Sequence, residues 1–302
     1  MRPPAFAGQF YAGLESSLRE QIEWCYTHKY GPGKVPEVKA GPRKILGMVS
    51  PHAGYPYSGP VAAHGFAALA EDGVPQTVVL VGPAHRQMQG VFADASKRWS
   101  TPLGKVEVDL ELTKKIISKA KFITEDPVAH FEEHSLEVQL PFLQHLFGSD
   151  FRITPIIMGA NDMSREISVK LGNAIVKATR ELKRDALVLA SSDFIHYGVA
   201  YGYVPITGSL PEILQWIKRV DQETISKIEK LDVSSFYEVL RKHNSTTCGF
   251  GPIAAVMTTV KDLGAKARTL KYATSSETTD GGGTSQIVGY ASIAFEKQTS
   301  EA

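Results

Sequence analysis

Four short, nearly uncharged apolar runs constrain this chain more than any other feature: ILGMVS (45–50), TVVLVG (77–82), FRITPIIMG (151–159) and ALVLASS (186–192). Each has the length of a strand buried on both faces, the pattern expected of a parallel sheet with helices on either side. A fifth run, QIVGYASIAF (286–295), alternates more and is expected to pair antiparallel or at an edge. Helical spacing of apolar residues appears at 14–28, 59–72, 109–121, 163–182, 211–230, 233–242 and 251–263, and the Gly-, Pro- and Lys-rich stretch 31–42 reads as a loop. Strands alternating with helices predict one α/β domain over 1–302, with a largely parallel central sheet covered by helices on both faces.

In such folds ligands bind outside the carboxyl ends of the strands. Three of the runs end in chemistry there. ILGMVS leads into Pro51-His52-Ala53-Gly54-Tyr55, TVVLVG into Pro83-Ala84-His85-Arg86, and ALVLASS into Asp193-Phe194-Ile195-His196-Tyr197. Parallel strands would open all three loops on one edge. Cys248, in TTCGFGP ahead of the helical pattern IAAVMTTVKDL, joins them as a thiol whose anion the helix start is expected to favour. Cys25 lies inside an amphipathic helix and is expected to be structural.

Two imidazoles and a thiolate suit iron, copper or zinc and leave coordination positions open, which marks a catalytic rather than a structural metal site. His52, His85 and Cys248 are therefore the candidate ligands, with His196 and Asp193 as candidate proton-handling residues. A thiol hydrolase with Cys248 as nucleophile and His52 or His85 as base is the competing reading. Tyr55, Tyr57 and Tyr197 are candidates to line an aromatic pocket, core packing being the alternative.

Composition excludes other classes. Across 302 residues, 33 Lys and Arg face 32 Asp and Glu, a net charge of +1 that gives no basis for a nucleic-acid partner. No apolar stretch is long enough to span a membrane, and Arg2-Pro3-Pro4 opens the chain without the apolar run of a signal peptide. Two distant cysteines suggest a reducing, cytoplasmic setting.

Several ordered motifs together are specific. Pro51-His52-Ala53-Gly54-Tyr55, Gly82-Pro83-Ala84-His85, Glu133-His134-Ser135-Leu136-Glu137, Ser191-Ser192-Asp193-Phe194-Ile195-His196-Tyr197-Gly198 and Cys248-Gly249 resemble the Memo family, and the likeness runs from Ala5-Gly8-Tyr11 to the closing strand. The resemblance implies a fold like that of class III extradiol dioxygenases, which hold non-haem Fe(II) with two histidines and a carboxylate. It implies one non-haem iron or copper ion on His52, His85 and Cys248, the cysteine standing where the carboxylate would be. It also implies oxygen chemistry that yields superoxide, or recognition of a small-molecule or peptide ligand such as a phosphotyrosine peptide, with Glu133 and His134 as polar groups near the cleft that bind substrate, His134 alternatively supporting a ligand from behind. The alternative function is a non-catalytic module taking a peptide or anionic ligand there.

A competing motif is His130-Phe131-Glu132-Glu133-His134, which matches the H-x-x-E-H of inverted zincins. Pro127 and Pro141 flank it and no downstream carboxylate ligand can be identified, so a peptidase is disfavoured. His28, His64, His145 and His243 sit in helical patterns and are expected to be chemically inert. Asp280–Thr284 is a glycine-rich segment read as a turn, with a loop over the site as the other reading.

Overall fold

The computed structural model describes residues 1–279 and 285–298, so the Asp280–Thr284 segment and the end of the polar tail lie outside the described residues. The strands are β1 (Ile45–Ser50), β2 (Thr77–Pro83), β3 (Val91–Ala93), β4 (Arg98–Thr101), β5 (Gly104–Val108), β6 (Ile123–Glu125), β7 (Arg152–Met158), β8 (Ala186–Ser191), β9 (His196–Tyr197), β10 (Ala265–Thr274) and β11 (Ile287–Lys297). The α-helices are α1 (Glu15–Thr27), α2 (Tyr55–Asp72), α3 (Leu110–Lys119), α4 (His134–Glu137), α5 (Leu140–Phe147), α6 (Arg165–Glu181), α7 (Leu210–Glu229), α8 (Val233–Lys242), α9 (Phe250–Asp262) and α10 (Ser275–Thr278).

The sheet runs in the order β10-β11-β1-β8-β2-β7-β3-β6. Its centre, β1-β8-β2-β7, is parallel, which accounts for the four uncharged runs. Antiparallel pairing lies at the flanks, where β11 joins β1 and β10, β3 joins β7, β4 joins β5, and β9 joins β11. The fifth run thus pairs antiparallel as expected, but it lies inside the edge. The edge strand on that side is β10, which the sequence pattern did not reveal. Its sequence, AKARTLKYAT, carries the lysines and arginine that keep an open edge soluble, and those residues hide the strand signal.

Two cores flank the sheet because side chains alternate along a strand. Val78, Leu80, Leu187 and Leu189 pack under α1, α2 and α5 with Leu18, Phe66 and Phe142. Val79, Val81, Val188 and Ala190 pack on the other face with Ile175 of α6, Phe236 of α8 and Val256 of α9. Helices expected at 109–121, 163–182, 211–230, 233–242 and 251–263 all form within two residues of their predicted limits. Helix α2 starts earlier than expected, at Tyr55, because Pro56 occupies the first turn, where a missing N–H costs nothing. The same placement of Pro141 permits α5, whose limits the sequence reading did not set although it put His145 in a helical pattern. Gly59 lets α2 approach α1 closely, since a Cβ there would collide with the Cys25 sulfur.

Candidate metal centre

β1, β8 and β2 are adjacent and parallel, so their carboxyl ends deliver His52, Asp193 and His85 to one edge, as predicted. The Ser192 N–H donates to Ser50 O at 2.9 Å, and the His52 N–H donates to Asp193 Oδ1 at 2.8 Å, which ties the β1 and β8 loops together. Cys248 comes to the same point from the start of α9. The Gly249 N–H donates to Ser192 Oγ at 3.0 Å, and a side chain at Gly249 would collide with Ser192.

The ring orientations follow from hydrogen-bond accounting. Ser191 Oγ donates to Ser135 O at 2.5 Å and accepts from Gln139 Nε2 at 2.9 Å. Its one proton is used, so toward His52 Nδ1, 2.9 Å away, it can only accept. His52 therefore carries its proton on Nδ1 and aims the Nε2 lone pair at Cys248 Sγ, 3.2 Å away. His85 Nδ1 donates to Glu133 Oε1 at 2.9 Å, while the His85 backbone N–H donates to Glu133 Oε2 at 2.6 Å. A carboxylate behind an imidazole fixes the ring and raises its basicity, the arrangement that supports metal-bound histidines.

Burial acts on every group here. It drives His52 well below the ordinary histidine range, aided by the neighbouring His85. It likewise brings His134 down to about 3, with His52 and His85 adding to the effect. Burial also pushes His85 down, but hydrogen bonds and charge from Cys248 and Glu133 outweigh it and hold the ring at about 10. Glu133 answers in kind: burial raises it, yet the bonded His85 brings it to about 2. The expected help from the α9 start does not decide the Cys248 thiol. Burial raises it, against an opposing pull from His85. An ion entering this site must displace protons from His85 and Cys248.

His134, expected as a substrate contact or a support behind a ligand, is a member of the donor cluster. Ligand atoms of His52, His85 and His134 all lie within 4.8 Å of one another. That is close to the span across one ion with metal–nitrogen bonds of about 2.1 Å. The His134 ring is sandwiched between His85, at 4.2 Å between centroids, and Phe10, at 4.3 Å. The 3.2 Å from His52 Nε2 to Cys248 Sγ approaches the roughly 3.6 Å edge that a tetrahedral ion with one thiolate would set. The donor set thus fits a first-row transition metal.

His196 lines the same cleft of about 370 Å³, together with Phe10, Tyr57, Asp193, Tyr201 and Tyr290. Its Nδ1 faces the carbonyls of Phe194 and Thr246 at 2.9 and 3.1 Å, so that nitrogen carries the proton and Nε2 keeps a free lone pair. Backbone carbonyls, and not Asp193, orient His196. Asp193 instead anchors the His52 loop, with Oδ2 3.9 Å from His52 Nε2. Burial raises the Asp193 carboxyl.

Two expected cleft residues are structural. The Tyr55 hydroxyl donates to Val138 O at 2.7 Å and its ring packs on Phe142. The Tyr197 hydroxyl donates to Ile206 O at 2.7 Å, in a small core with Ile213 and Ile217. Tyr57 and Tyr201, 51% and 41% exposed, form the aromatic rim instead. The zincin arrangement is absent. His130 ends a 3-10 turn (Val128–His130) and is buried against Trp99, Glu133 is extended, and His134 starts α4. Cys25 is buried in the core beside Tyr26.

The fold and this edge define a class: a single-domain α/β protein with a histidine cluster at the strand ends. The family described as Memo-like protein matches residues 2–294, and the chain belongs to the Memo family. It is 42% identical over 298 residues to a MEMO1 family protein of Methanopyrus kandleri, covering 98% of this chain and 99% of that one. It is 43% identical to a MEMO1 family protein of Pyrobaculum aerophilum, covering 98% and 99%. An uncharacterized protein of Escherichia coli K12 shares the fold, with a TM-score of 0.55 at 12% identity over 83% of this chain and 99% of that one. No helix among the described residues is long and apolar enough to cross a membrane.

Proposed function

We propose that the protein holds one redox-active ion, iron or copper, through His52 Nε2, His85 Nε2 and Cys248 Sγ, with His134 in reach as a further donor, and that it reduces oxygen in the adjoining cleft. The observation that supports this reading best is His52 Nε2, 3.2 Å from the Cys248 thiol on a ring held by Ser191, beside a His85 ring held by Glu133. When bound, the ion supplies one electron at a time to oxygen. The protein's own residues do the rest. Cys248 loses its proton to become a charge-donating ligand, and a thiolate makes the ion a weaker Lewis acid than a carboxylate would. His196 Nε2 takes or delivers a proton within the cleft. Phe10, Tyr57 and Tyr201 bound the space for a reducing small-molecule co-substrate, which would supply the electrons passed through the ion to oxygen.

Ring cleavage of catechols does not follow from the fold. Anaerobic loading with Fe(II) or Cu(I), then air with and without catechol, tests the reading. We expect oxygen uptake and superoxide, lost in Cys248→Ala, with little ring-opened product. Rapid ring opening would overturn the role given to the cysteine.

A second reading is favoured by the exposed Tyr57 and Tyr201 at the rim and by the cationic His85 below them. In it the cleft is a non-catalytic module for a peptide or anionic ligand. Metal-loaded protein that consumes no oxygen, with Cys248 reduced, would favour this reading over the first.

A further inference from the structure

Arg2 and Glu137 are both completely buried and form an ion pair at 2.7 Å. An isolated buried pair is a poor source of stability, because both charges lose their water. This one is surrounded by partners. Glu137 Oε2 accepts from Arg2 Nη1 and from the Ala5 N–H at 2.9 Å. Glu137 Oε1 accepts from the Phe6 N–H at 2.9 Å and from the Tyr11 hydroxyl at 2.6 Å. The guanidinium spends its other donors on backbone carbonyls, His130 O at 2.7 Å from Nε, Glu133 O at 2.8 Å from Nη2 and, at a longer 3.4 Å, Pro3 O from Nη1. Its flat face lies over Trp99, 4.2 Å from the ring centroid.

The residues so gripped bracket those that build one side of the metal centre. Between the carbonyl of His130 and the carboxylate of Glu137 lie Glu133, which orients His85, and His134, which stacks on it. The same segment, residues 2–11, also reaches the cleft directly. Phe6 and Phe10 pack on the His134 ring at 5.4 and 4.3 Å, and Phe10 O accepts the Tyr55 N–H at the start of α2.

We propose that Arg2 and Glu137 are positioning residues of the metal centre: the planar guanidinium, joined to Glu137, sets the backbone from His130 to Glu137 so that Glu133 and His134 meet His85 in register. The assignment rests on the metal-centre reading of the cleft. Only arginine presents donors in a rigid plane to two carbonyls and a carboxylate at once; lysine keeps the charge but not the geometry.

The test compares Arg2→Lys and the milder Tyr11→Phe, which removes one bond to Glu137, with Leu171→Ala. Leu171 lies in the core on the opposite face of the sheet. Two quantities are read: the Kd for Co(II) by chelator competition, and, without metal, the ring-current-shifted proton resonances of His134. Outer partners orient metal ligands, and their loss typically weakens binding about 10–100-fold. We expect a Kd rise of that size in Arg2→Lys, a smaller rise in Tyr11→Phe, and His134 resonances displaced in both. Leu171→Ala, compared at equal loss of Tm, should move neither. Wild-type Kd and wild-type His134 resonances in Arg2→Lys would overturn the proposal, as would equal changes in Leu171→Ala. If Arg2→Lys does not fold, Tyr11→Phe decides by the same criteria. If the wild type binds no Co(II), the metal-centre reading fails, and the His134 resonances alone decide whether the clasp positions that ring.

Discussion

The two imidazoles that face Cys248 are held by opposite kinds of chemistry. His52 is buried on a neutral lattice of Ser191, Ser135 and Gln139, and burial keeps it uncharged. His85 leans on the carboxylate of Glu133, its side chain 36% exposed, and is held at about 10. A hydroxyl fixes a tautomer without adding charge, whereas a carboxylate adds basicity as well. The site thus combines a ring that is always ready to donate with one that must first give up a proton. Asp221 extends the contrast. It is as deeply buried as Glu133 but, among the described residues, has no cation beside it. Its partners among them are the Ile195 N–H and the Tyr272 hydroxyl, and burial takes it up to about 7. Burial raises both carboxyls, and the partner decides which one stays ionised.

The strongest way to break the comparison is to remove a donor. His52→Ala, His85→Ala and Cys248→Ala should each abolish retention of iron or copper, measured by metal analysis after gel filtration. Full retention in any of them would remove that residue from the site.

The next effect concerns Asp221. Its folded pKa lies above the unfolded carboxyl value, so its contribution to stability is fully present below about pH 4 and is lost as pH rises through about 7. Asn in its place mimics the protonated acid, accepting from Ile195 N–H while its amide donates to Tyr272. Asp221→Asn should therefore gain stability over the wild type by a few kcal/mol between pH 4 and 8. Urea titrations showing a constant difference across that range would contradict the assignment.

Glu133→Gln and Ser191→Ala sharpen the contrast directly. Losing the carboxylate should weaken metal binding about 10–100-fold and let His85 titrate below its present value of about 10. Losing the hydroxyl should cost less than about ten-fold, because Ser191 bears no charge. Chelator competition and histidine NMR measure both. An equal penalty for the two would show that charge does not matter behind these rings. The smallest effect on the metal is expected for His196→Ala, which should keep wild-type metal content while oxygen uptake falls. Loss of metal there would make His196 a ligand.

The sequence reading located the main parts of this site for a physical reason. Runs buried on both faces cannot hide their character, and parallel neighbours bring their ends to one edge, so His52, His85 and Asp193 were legible from ILGMVS, TVVLVG and ALVLASS alone. Cys248 was legible because it stands just ahead of the helical pattern IAAVMTTVKDL, which forms α9. His134 was assigned to the cleft but not to the donor cluster, and Tyr55 and Tyr197 were offered to the cleft although their hydroxyls end on backbone carbonyls. Nothing in a tyrosine's neighbours along the chain tells which way its hydroxyl finds a partner.

Local pattern and strand-end placement therefore belong to the sequence, because alternation, apolar length and helix starts act over a few residues. The support behind each ring belongs to the tertiary structure alone. Glu133 reaches back 48 residues to His85, Ser191 reaches 139 residues to His52, and Arg2 reaches 135 to Glu137. Such pairs leave no periodic trace. They form because a polar group taken out of water needs a partner wherever the fold brings one, and only the packed sheet decides which one that is.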